Sequence, residues 1–408
     1  MTGRWDVVVV GAGPAGATTA LLCARVGASV LLLDRARFPR DKPCSEYLSP
    51  ATTAILERLR GGILEELEET THAKLYGMRV VAPDGVAVTG RFRGGPRPYS
   101  FALPRTSFDT ILVTAAARAG AQVREGVTVE DLVWEGGAVA GVVARSPKGR
   151  RTTHAARVVV GADGLRSVVA RRLGAIRRSP PQRIAFTAHV ASVAGVTDVG
   201  ELHVSERGYV GLGPVGAGIT TVALVLPART VREMPRGREL HTAFFAELER
   251  FPGLAGRFDP QQVVRGVLTT GPFAQWSRAA VAPGGGAILV GDAADFFDPF
   301  TGQGIHTALR GAELAAACLI PALARAGKAP VPVAMLESYG GARRRAFMGK
   351  WLLERLIGVG VGSAALTKRV VRRLARRPDL ADLLVSATGN IVPARRVLTP
   401  RVLAQLLW

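Results

Sequence analysis

The chain is short of acids. Thirty-two Asp and Glu face 53 Lys and Arg in 408 residues, a formal net charge of +21. Three sources for that excess stand open: an arginine-rich genome, a nucleic-acid partner, or attraction to an anionic membrane surface. Aromatic residues make up only 6%, and no helix-turn-helix, finger or RNA-binding motif is present, which weighs against nucleic acid. Cysteine is scarce too. Cys23, Cys44 and Cys318 are too few and too scattered for a disulfide framework or a zinc site, so no metal is expected and a reducing, cytoplasmic setting fits. Uncharged apolar runs are short, none reaching ~18 residues, so no spanning helix is expected. The first strand begins at about residue 5, so no signal peptide is expected either.

What is present is a full complement of core formers, 48% of the chain, enough for two domains or one large one with an insertion. The organising stretch runs from Asp6 to Arg35. Val7 to Val10 are an unbroken β-branched run, as in a strand buried on both faces of a parallel sheet. Gly11, Gly13 and Gly16 follow in G-x-G-x-x-G spacing. The first permits the tight turn, the second lets backbone approach a pyrophosphate, and the third lets the next helix pack closely. That helix is expected over about Ala15 to Val26, with Gly27 just past its end. Its N-terminus offers free N–H groups to phosphates. A second strand, Ser29 to Leu33, ends in Asp34, eighteen residues after Gly16, where a dinucleotide fold places an acid for the ribose hydroxyls. The motif alone does not separate FAD from NAD(P).

Further along, helices are expected over Ala51 to Leu59 and Ile63 to Glu69, and a hairpin over Met78 to Phe92 turning at Pro83 to Gly85. An amphipathic helix spans Arg105 to Ala119, with Phe108, Ile111, Leu112 and Ala115 on one face. Gln122 to Thr128, Val129 to Trp134, Val139 to Ala144 and Arg151 to His154 read as a small antiparallel meander, and Val158 to Val160 as a separate buried strand ending in GADGLRS. From Gly174 to Leu268 alternating segments, interrupted by a helix over Arg236 to Arg250, read as a second, antiparallel sheet. Ala287 to Val290 is a last buried strand, followed by a helix over Gly302 to Leu323 and a basic helical tail. Between Arg343 and Arg377 lie eleven cations and one acid, Glu354.

Three motifs occur in order: Gly11/Gly13/Gly16, then Asp163-Gly164, then Gly291-Asp292 within VGDAAD. In this the chain resembles the FAD-dependent oxidoreductases of the p-hydroxybenzoate hydroxylase fold, over about its first 345 residues. The resemblance implies an α/β chain: a Rossmann-like FAD-binding domain, an inserted antiparallel-sheet substrate domain and a helical C-terminus. The FAD domain would take residues 1–73, 105–175 and 276–345, the substrate domain 74–104 and 176–275, and the basic helices 346–408. It implies FAD as the tightly held dinucleotide and NAD(P)H as the reductant. Gly11, Gly13, Pro14, Ala15 and Gly16 would then hold the pyrophosphate, and Asp34 with Arg35 the adenosine ribose. Arg105 opens an R-x-x-F-D-x-x-L pattern that contacts the cofactor in relatives; its other reading is a helix-start cation on the surface. Val129 and Asp163 would approach the cofactor, and Gly291 with Asp292 the ribityl chain. Pro299 would shape the turn before the long helix, and Gly302, Gln303, Gly304 and Ile305 would point backbone N–H groups at the flavin pyrimidine.

Two branches of that superfamily compete. Pro39-Arg40-Asp41-Lys42-Pro43-Cys44 and Asp298-Pro299-Phe300-Thr301-Gly302 are similar to segments of geranylgeranyl reductases, where the Cys lies near the flavin. Ser45-Glu46 follows the Cys where Gly is usual, and the strand Tyr209 to Pro214 has no Trp or Phe. Gln303-Gly304 is similar to the G-Q-G of hydroxylases, and the halogenase W-x-W-x-I-P motif is absent. The resemblance therefore implies first an NAD(P)H-dependent monooxygenase acting on a lipophilic aromatic or polyketide-like substrate. Its alternative is a reductase of isoprenoid C=C bonds, and a non-catalytic FAD-binding or nucleic-acid-associated protein stands beside both. Cys44 and Gln303 are the candidate catalytic residues. Glu46 and Tyr47 are candidate pocket groups, and His306 is a packing residue or a site residue. The tail, with Trp351, Leu352, Leu353, Leu356 and Ile357 among its cations, suits peripheral membrane contact, a cover over a greasy entrance, or plain packing on the FAD domain.

Overall fold

The structure, a computed structural model, describes residues 3–44, 46–180, 182–232, 234–235 and 237–407. Ser45, expected beside Cys44, and Arg236, expected to start a helix, lie outside the described residues. A parallel sheet forms the base, in the order Gln122–Arg124, Val30–Leu33, Trp5–Val10, Arg151–Gly161 and Ala287–Leu289. Successive side chains of a strand point to opposite faces, and both faces here are covered. Val7, Val9, Leu32, Val158 and Val160 pack under the helices Pro14–Ala24, Arg105–Arg118 and Gly304–Arg325. Val8, Val10, Leu31, Leu33 and Val159 pack against an antiparallel layer built on Thr128–Glu135 and Ala138–Arg145. Burial on both sides is why these strands read as continuous apolar runs.

A seven-stranded sheet makes the second layer: Val263–Thr270, Arg183–Ala191, Ile219–Pro227, Gly208–Gly216, Gly200–Ser205, Gly77–Val81 and Ala87–Arg91. Its outer face is covered by the helix Glu239–Leu248, through Phe244, Phe245 and Leu248, and by Phe251 and Leu254 beyond it. The last strand, Ala87–Arg91, would be an open edge, a row of unpaired backbone groups. The helix Pro378–Thr388 closes it. Asp382 accepts from the Arg91 N–H at 2.7 Å, and the Ser386 hydroxyl accepts from the Arg93 N–H at 2.8 Å. Gly90 permits the contact, since a Cβ there would sit 2.6 Å from the Ala381 carbonyl oxygen. The remaining C-terminal helices are Val333–Val361, Ala364–Ala375 and Pro400–Leu407.

Several sequence expectations change. The strand Gln122–Arg124 is parallel to Val30–Leu33, outside the meander, because the helix Arg105–Arg118 carries the chain back across the sheet before it. Arg151 to His154 and Val158 to Val160 are one strand, Arg151–Gly161. With no turn residue between them, its first half pairs antiparallel with Ala138–Arg145 and its second half parallel with Trp5–Val10. Ala73–Leu75 and Ser100–Ala102 pair with each other, and Tyr47–Leu48 joins them in a small separate sheet. The first helix ends at Ala24 with Arg25 as its cap residue, so Gly27 lies two residues later than expected, with φ +83°. Among the described residues one helix, Gly304–Arg325, is long and apolar enough to cross a membrane, but more than half of it is buried inside the fold.

Candidate functional site

The glycine turn shows why only glycine serves at its first and third positions. Gly11 has φ +97°, and a Cβ on it would lie 2.5 Å from the Ala162 carbonyl oxygen. A Cβ on Gly16 would lie 1.8 Å from the Gly11 carbonyl oxygen, so its absence seats the helix on the turn. Pro14 opens the helix and Gly13 precedes it without a side-chain cap, leaving the first N–H groups unclaimed. An N-terminus with unclaimed donors suits a phosphate. Two cations missed in the sequence reading converge there. The Arg40 guanidinium lies 3.3 Å from where a Gly13 Cβ would stand and pairs with Asp109 at 2.9 Å. Lys42 lies 3.8 Å from Asp292. Their signal was the basic run Arg35, Arg37, Arg40, Lys42 directly after the second strand.

The acids around this turn divide into two kinds. Asp34 is tied into the backbone, accepting from the Ala12 N–H at 2.7 Å and the Ala36 N–H at 2.8 Å, while still lining the cavity. Asp163 uses one oxygen to accept from the Val168 N–H at 2.6 Å, and its other oxygen is buried with no partner. Burial pushes its carboxyl above the usual range, against the hydrogen bonds that lower it. A buried acceptor left open beside a phosphate-binding turn, together with a cradle that Cβ atoms would fill, fits FAD. The helix Gly304–Arg325 adds to the fit. It too begins without a side-chain cap, and Gly304 and Ile305 line the same cavity as Asp163.

That cavity is continuous and about 820 Å³ in volume. Of the sequence candidates it is lined by Gly11, Gly13, Pro14, Ala15, Asp34, Arg35, Cys44, Arg105, Val129, Asp163, Asp292, Pro299, Gly302, Gly304 and Ile305. Three candidates are elsewhere. Gly16 packs on Gly11, and a Cβ on Gly291 (φ +63°) would lie 2.9 Å from the Ala15 Cβ, so both are packing glycines. Gln303 is turned away. Its side-chain amide donates to the Thr388 carbonyl at 2.7 Å, which corrects the catalytic role expected for it.

The Glu46 N–H reaches the Cys44 sulfur at 3.5 Å, and Arg105 is its charged neighbour. Arg105 is 2% exposed, which rules out the surface cation. Asp109, one turn on, takes its guanidinium in a bidentate pair at 2.7 Å. Burial disfavours the Arg105 cation, but Asp109 and Cys44 outweigh it and raise its pKa. Tyr47 does line the cavity, its ring filling the space a Gly302 side chain would take. Glu46 does not: its fully buried carboxylate turns to the second sheet, to His189 at 2.6 Å and the Thr221 hydroxyl.

Polar links that the sequence did not reveal bolt the Pro299–Thr301 turn to its surroundings. Asp298 accepts from the Tyr209 hydroxyl and pairs with Arg183 at 2.7 Å. Thr301 donates to Glu354 at 2.9 Å, and Trp351 donates to Asp295 at 2.8 Å, where Arg343 also pairs. Replacing Tyr209 by Phe removes one hydrogen bond to a charged acceptor and is expected to lower stability by about 1.5–3 kcal/mol. Urea unfolding checks this, and an unchanged midpoint would show that the bond adds nothing.

His306, next to Ile305, has a buried ring nitrogen without a partner. Burial, then the Lys350 and Arg310 cations, pushes its pKa down to about 4 from 6.5. The unfolded chain therefore binds the proton first, and stability is expected to fall as pH drops from 6.5 toward 4, by about 3 kcal/mol in all. Glu201, held at about 2 by Arg257 and His203 against its burial, acts only below its unfolded value of 4.5. Melting curves of the His306→Asn protein should be flatter between pH 6.5 and 4.5; a slope equal to the parent's would rule the histidine out as the source.

Beyond Tyr47 the cavity turns apolar. Met78, Val80, Leu202 and Val204 of the second sheet form one wall, and Leu353, Ile357, Val371, Leu374 and Leu406 of the C-terminal helices form the other. Gly211 and Gly213 open the wall further, since a Cβ on either would meet nothing within 4 Å. The chain is similar to known proteins over most of its length. A family profile described as an FAD binding domain covers residues 4–350. The menaquinone reductase of Mycolicibacterium smegmatis is 31% identical, over 96% of this chain and 93% of its own. Digeranylgeranylglycerophospholipid reductase 2 of Methanothermobacter thermautotrophicus is 30% identical, over 76% of this chain and 77% of its own. A flavoprotein/dehydrogenase from Cytophaga hutchinsonii superposes with a TM-score of 0.81 at 21% identity, covering 95% of this chain and 92% of its own.

Proposed function

The chain belongs to the FAD-binding-domain family and is an FAD-dependent oxidoreductase, and from that premise we propose that it saturates a carbon–carbon double bond in a long isoprenoid chain. The observation that carries this is the apolar extension of the cavity, which runs from Cys44 and the Pro299–Thr301 turn in under the C-terminal helices. A single ring does not need that length; a prenyl chain does. Two reductases, of a menaquinone and of a digeranylgeranylglycerophospholipid, are similar over three quarters or more of this chain.

Gly11, Gly13, Pro14 and Ala15 would hold the pyrophosphate with Arg40 beside them, Asp34 and Arg35 would take the ribose end, and Asp163 would offer its free oxygen. When bound, FAD would supply a hydride, an electron pair with one hydrogen, drawn in turn from NAD(P)H. The other carbon then needs one proton, and in this reading the Cys44 thiol gives it. The Glu46 N–H, 3.5 Å from its sulfur, and the neighbouring Arg105 fix where that thiol points. The apolar walls keep water from the reacting carbons. A second reading, hydroxylation of a lipophilic aromatic by an NAD(P)H-dependent monooxygenase, draws on the space at Gly211 and Gly213, where a ring would fit.

The test is anaerobic. Protein reduced with dithionite is mixed with a geranylgeranyl lipid or a prenylated quinone, and flavin absorbance and product mass are followed. Reoxidation without O₂, with gain of two hydrogens by the chain, is expected, and Cys44→Ala should slow it by roughly tenfold or more. Reoxidation that requires O₂ and adds oxygen to an aromatic substrate would overturn the reductase in favour of the monooxygenase.

A further inference from the structure

The long helix Val333–Val361 has two unlike faces. Its inward face buries Phe347, Leu353, Glu354 and Gly358. On the outward face Met348, Leu352, Leu356 and Val359 are 60%, 50%, 42% and 66% exposed. Their spacing puts them on one stripe of the helix. Exposed apolar side chains scattered singly need no explanation, but four large ones contiguous on one helix do. Arg344, Arg345 and Arg355 are also exposed and fall on the same face by helical spacing. Leu356 and Val359 line the cavity as well, so the stripe borders its mouth.

The next helix, Ala364–Ala375, repeats the pattern. Leu366, Val370 and Leu374 line the cavity, while Lys368, Arg372, Arg373 and Arg376 line a cationic cup of about 410 Å³ on its other side. Leu407 lines both spaces. An apolar stripe carrying arginines, next to a cationic cup and a greasy opening, has the chemistry of an interfacial helix. We infer that this face docks on an anionic lipid bilayer, with Met348 and Leu352 entering the acyl boundary and the cavity mouth opening at the membrane surface. A long apolar substrate then passes from bilayer to cavity without crossing water.

Flotation of the full-length, FAD-loaded protein with vesicles tests this without any turnover, so its failure leaves the reductase proposal untouched. Binding to phosphatidylglycerol–phosphatidylcholine vesicles is expected to be about 100-fold tighter than to phosphatidylcholine alone. The double variant Met348→Glu/Leu352→Glu, neither residue lining the cavity, should weaken it by roughly 100-fold with flavin content and melting temperature unchanged. If that variant folds poorly, Arg344→Ser/Arg355→Ser serves instead and should erase most of the preference for anionic vesicles. Equal binding to both vesicle types, or variants that float like the parent, would overturn the inference. So would light scattering that finds a dimer which the glutamates dissociate, since the stripe would then be covered by a second copy.

Discussion

Gly11→Ala protein is expected to come off the column colourless. A Cβ at residue 11 meets three backbone atoms of the facing strand end: the Ala162 carbonyl oxygen and carbon at 2.5 and 2.7 Å and the Asp163 Cα at 2.7 Å. No flexible side chain is there to yield, so the two turns must separate. The residue's φ of +97° adds a strain of about 1–2 kcal/mol for any residue with a Cβ. The damage also spreads to the ligand side. Asp163 carries the unpartnered oxygen, and Ala12, next to Gly11, donates its N–H to Asp34. Affinity for FAD should fall by at least about 100-fold, roughly 2.7 kcal/mol, read by flavin absorbance per protein and by titration with added FAD. Gly27→Ala is the control. It has a similar φ, +83°, but a Cβ there meets nothing within 4 Å, so it should cost only backbone strain and leave the protein yellow. Full flavin occupancy in Gly11→Ala would mean that the turn does not hold the cofactor.

That prediction could be framed from the sequence, because the glycine spacing encodes a local steric fact. The parallel strands were legible for a similar reason. Residues such as Val7 to Val10 and Leu31 to Leu33 are apolar on both faces, and only a doubly covered sheet accepts them. The part of the site built by distant segments was not legible. Asp298, Arg183 and Tyr209 meet across separations of 115 and 89 residues, and nothing in their local patterns marks them as partners. Gln303 sat in a motif of the right composition, yet its side chain follows a carbonyl, Thr388, 85 residues away. The meander boundary failed for a different reason. A short strand such as Gln122–Arg124 has too few residues for alternation to state which neighbour it joins. The cavity's apolar half was out of reach as well, because its walls come from strands and helices whose outward and inward faces are set only by packing.

Glu46 shows what such long-range assembly costs when broken. It is a fully buried carboxylate with a left-handed backbone, φ +59°, uncommon for a residue with a side chain. Strained positions of this kind persist only where the surroundings over-determine them, and here they do. One oxygen accepts from His189 at 2.6 Å and from the Thr221 hydroxyl; the other accepts from the Arg105 N–H at 3.1 Å and lies 3.6 Å from Arg265. Its carbonyl accepts from the Leu103 N–H at 3.2 Å. The residue therefore ties the Cys44 loop at once to the second sheet and to the start of the helix Arg105–Arg118. Glu46→Ala leaves Arg265 and His189 short of a buried acceptor and should cost about 3–5 kcal/mol, the range for removing one partner of a buried charged pair. Glu46→Gln keeps the shape and a single acceptor oxygen and should cost less, about 1.5–3 kcal/mol. Glu46→Gly removes the carboxylate but relieves the backbone, and should be no worse than Ala. Chemical unfolding of the three holoproteins gives the order, and flavin absorbance reports whether the loop still meets the cofactor. If Ala and Gln lose the same small amount, under about 1 kcal/mol, the carboxylate is not the tie that holds Cys44 in place.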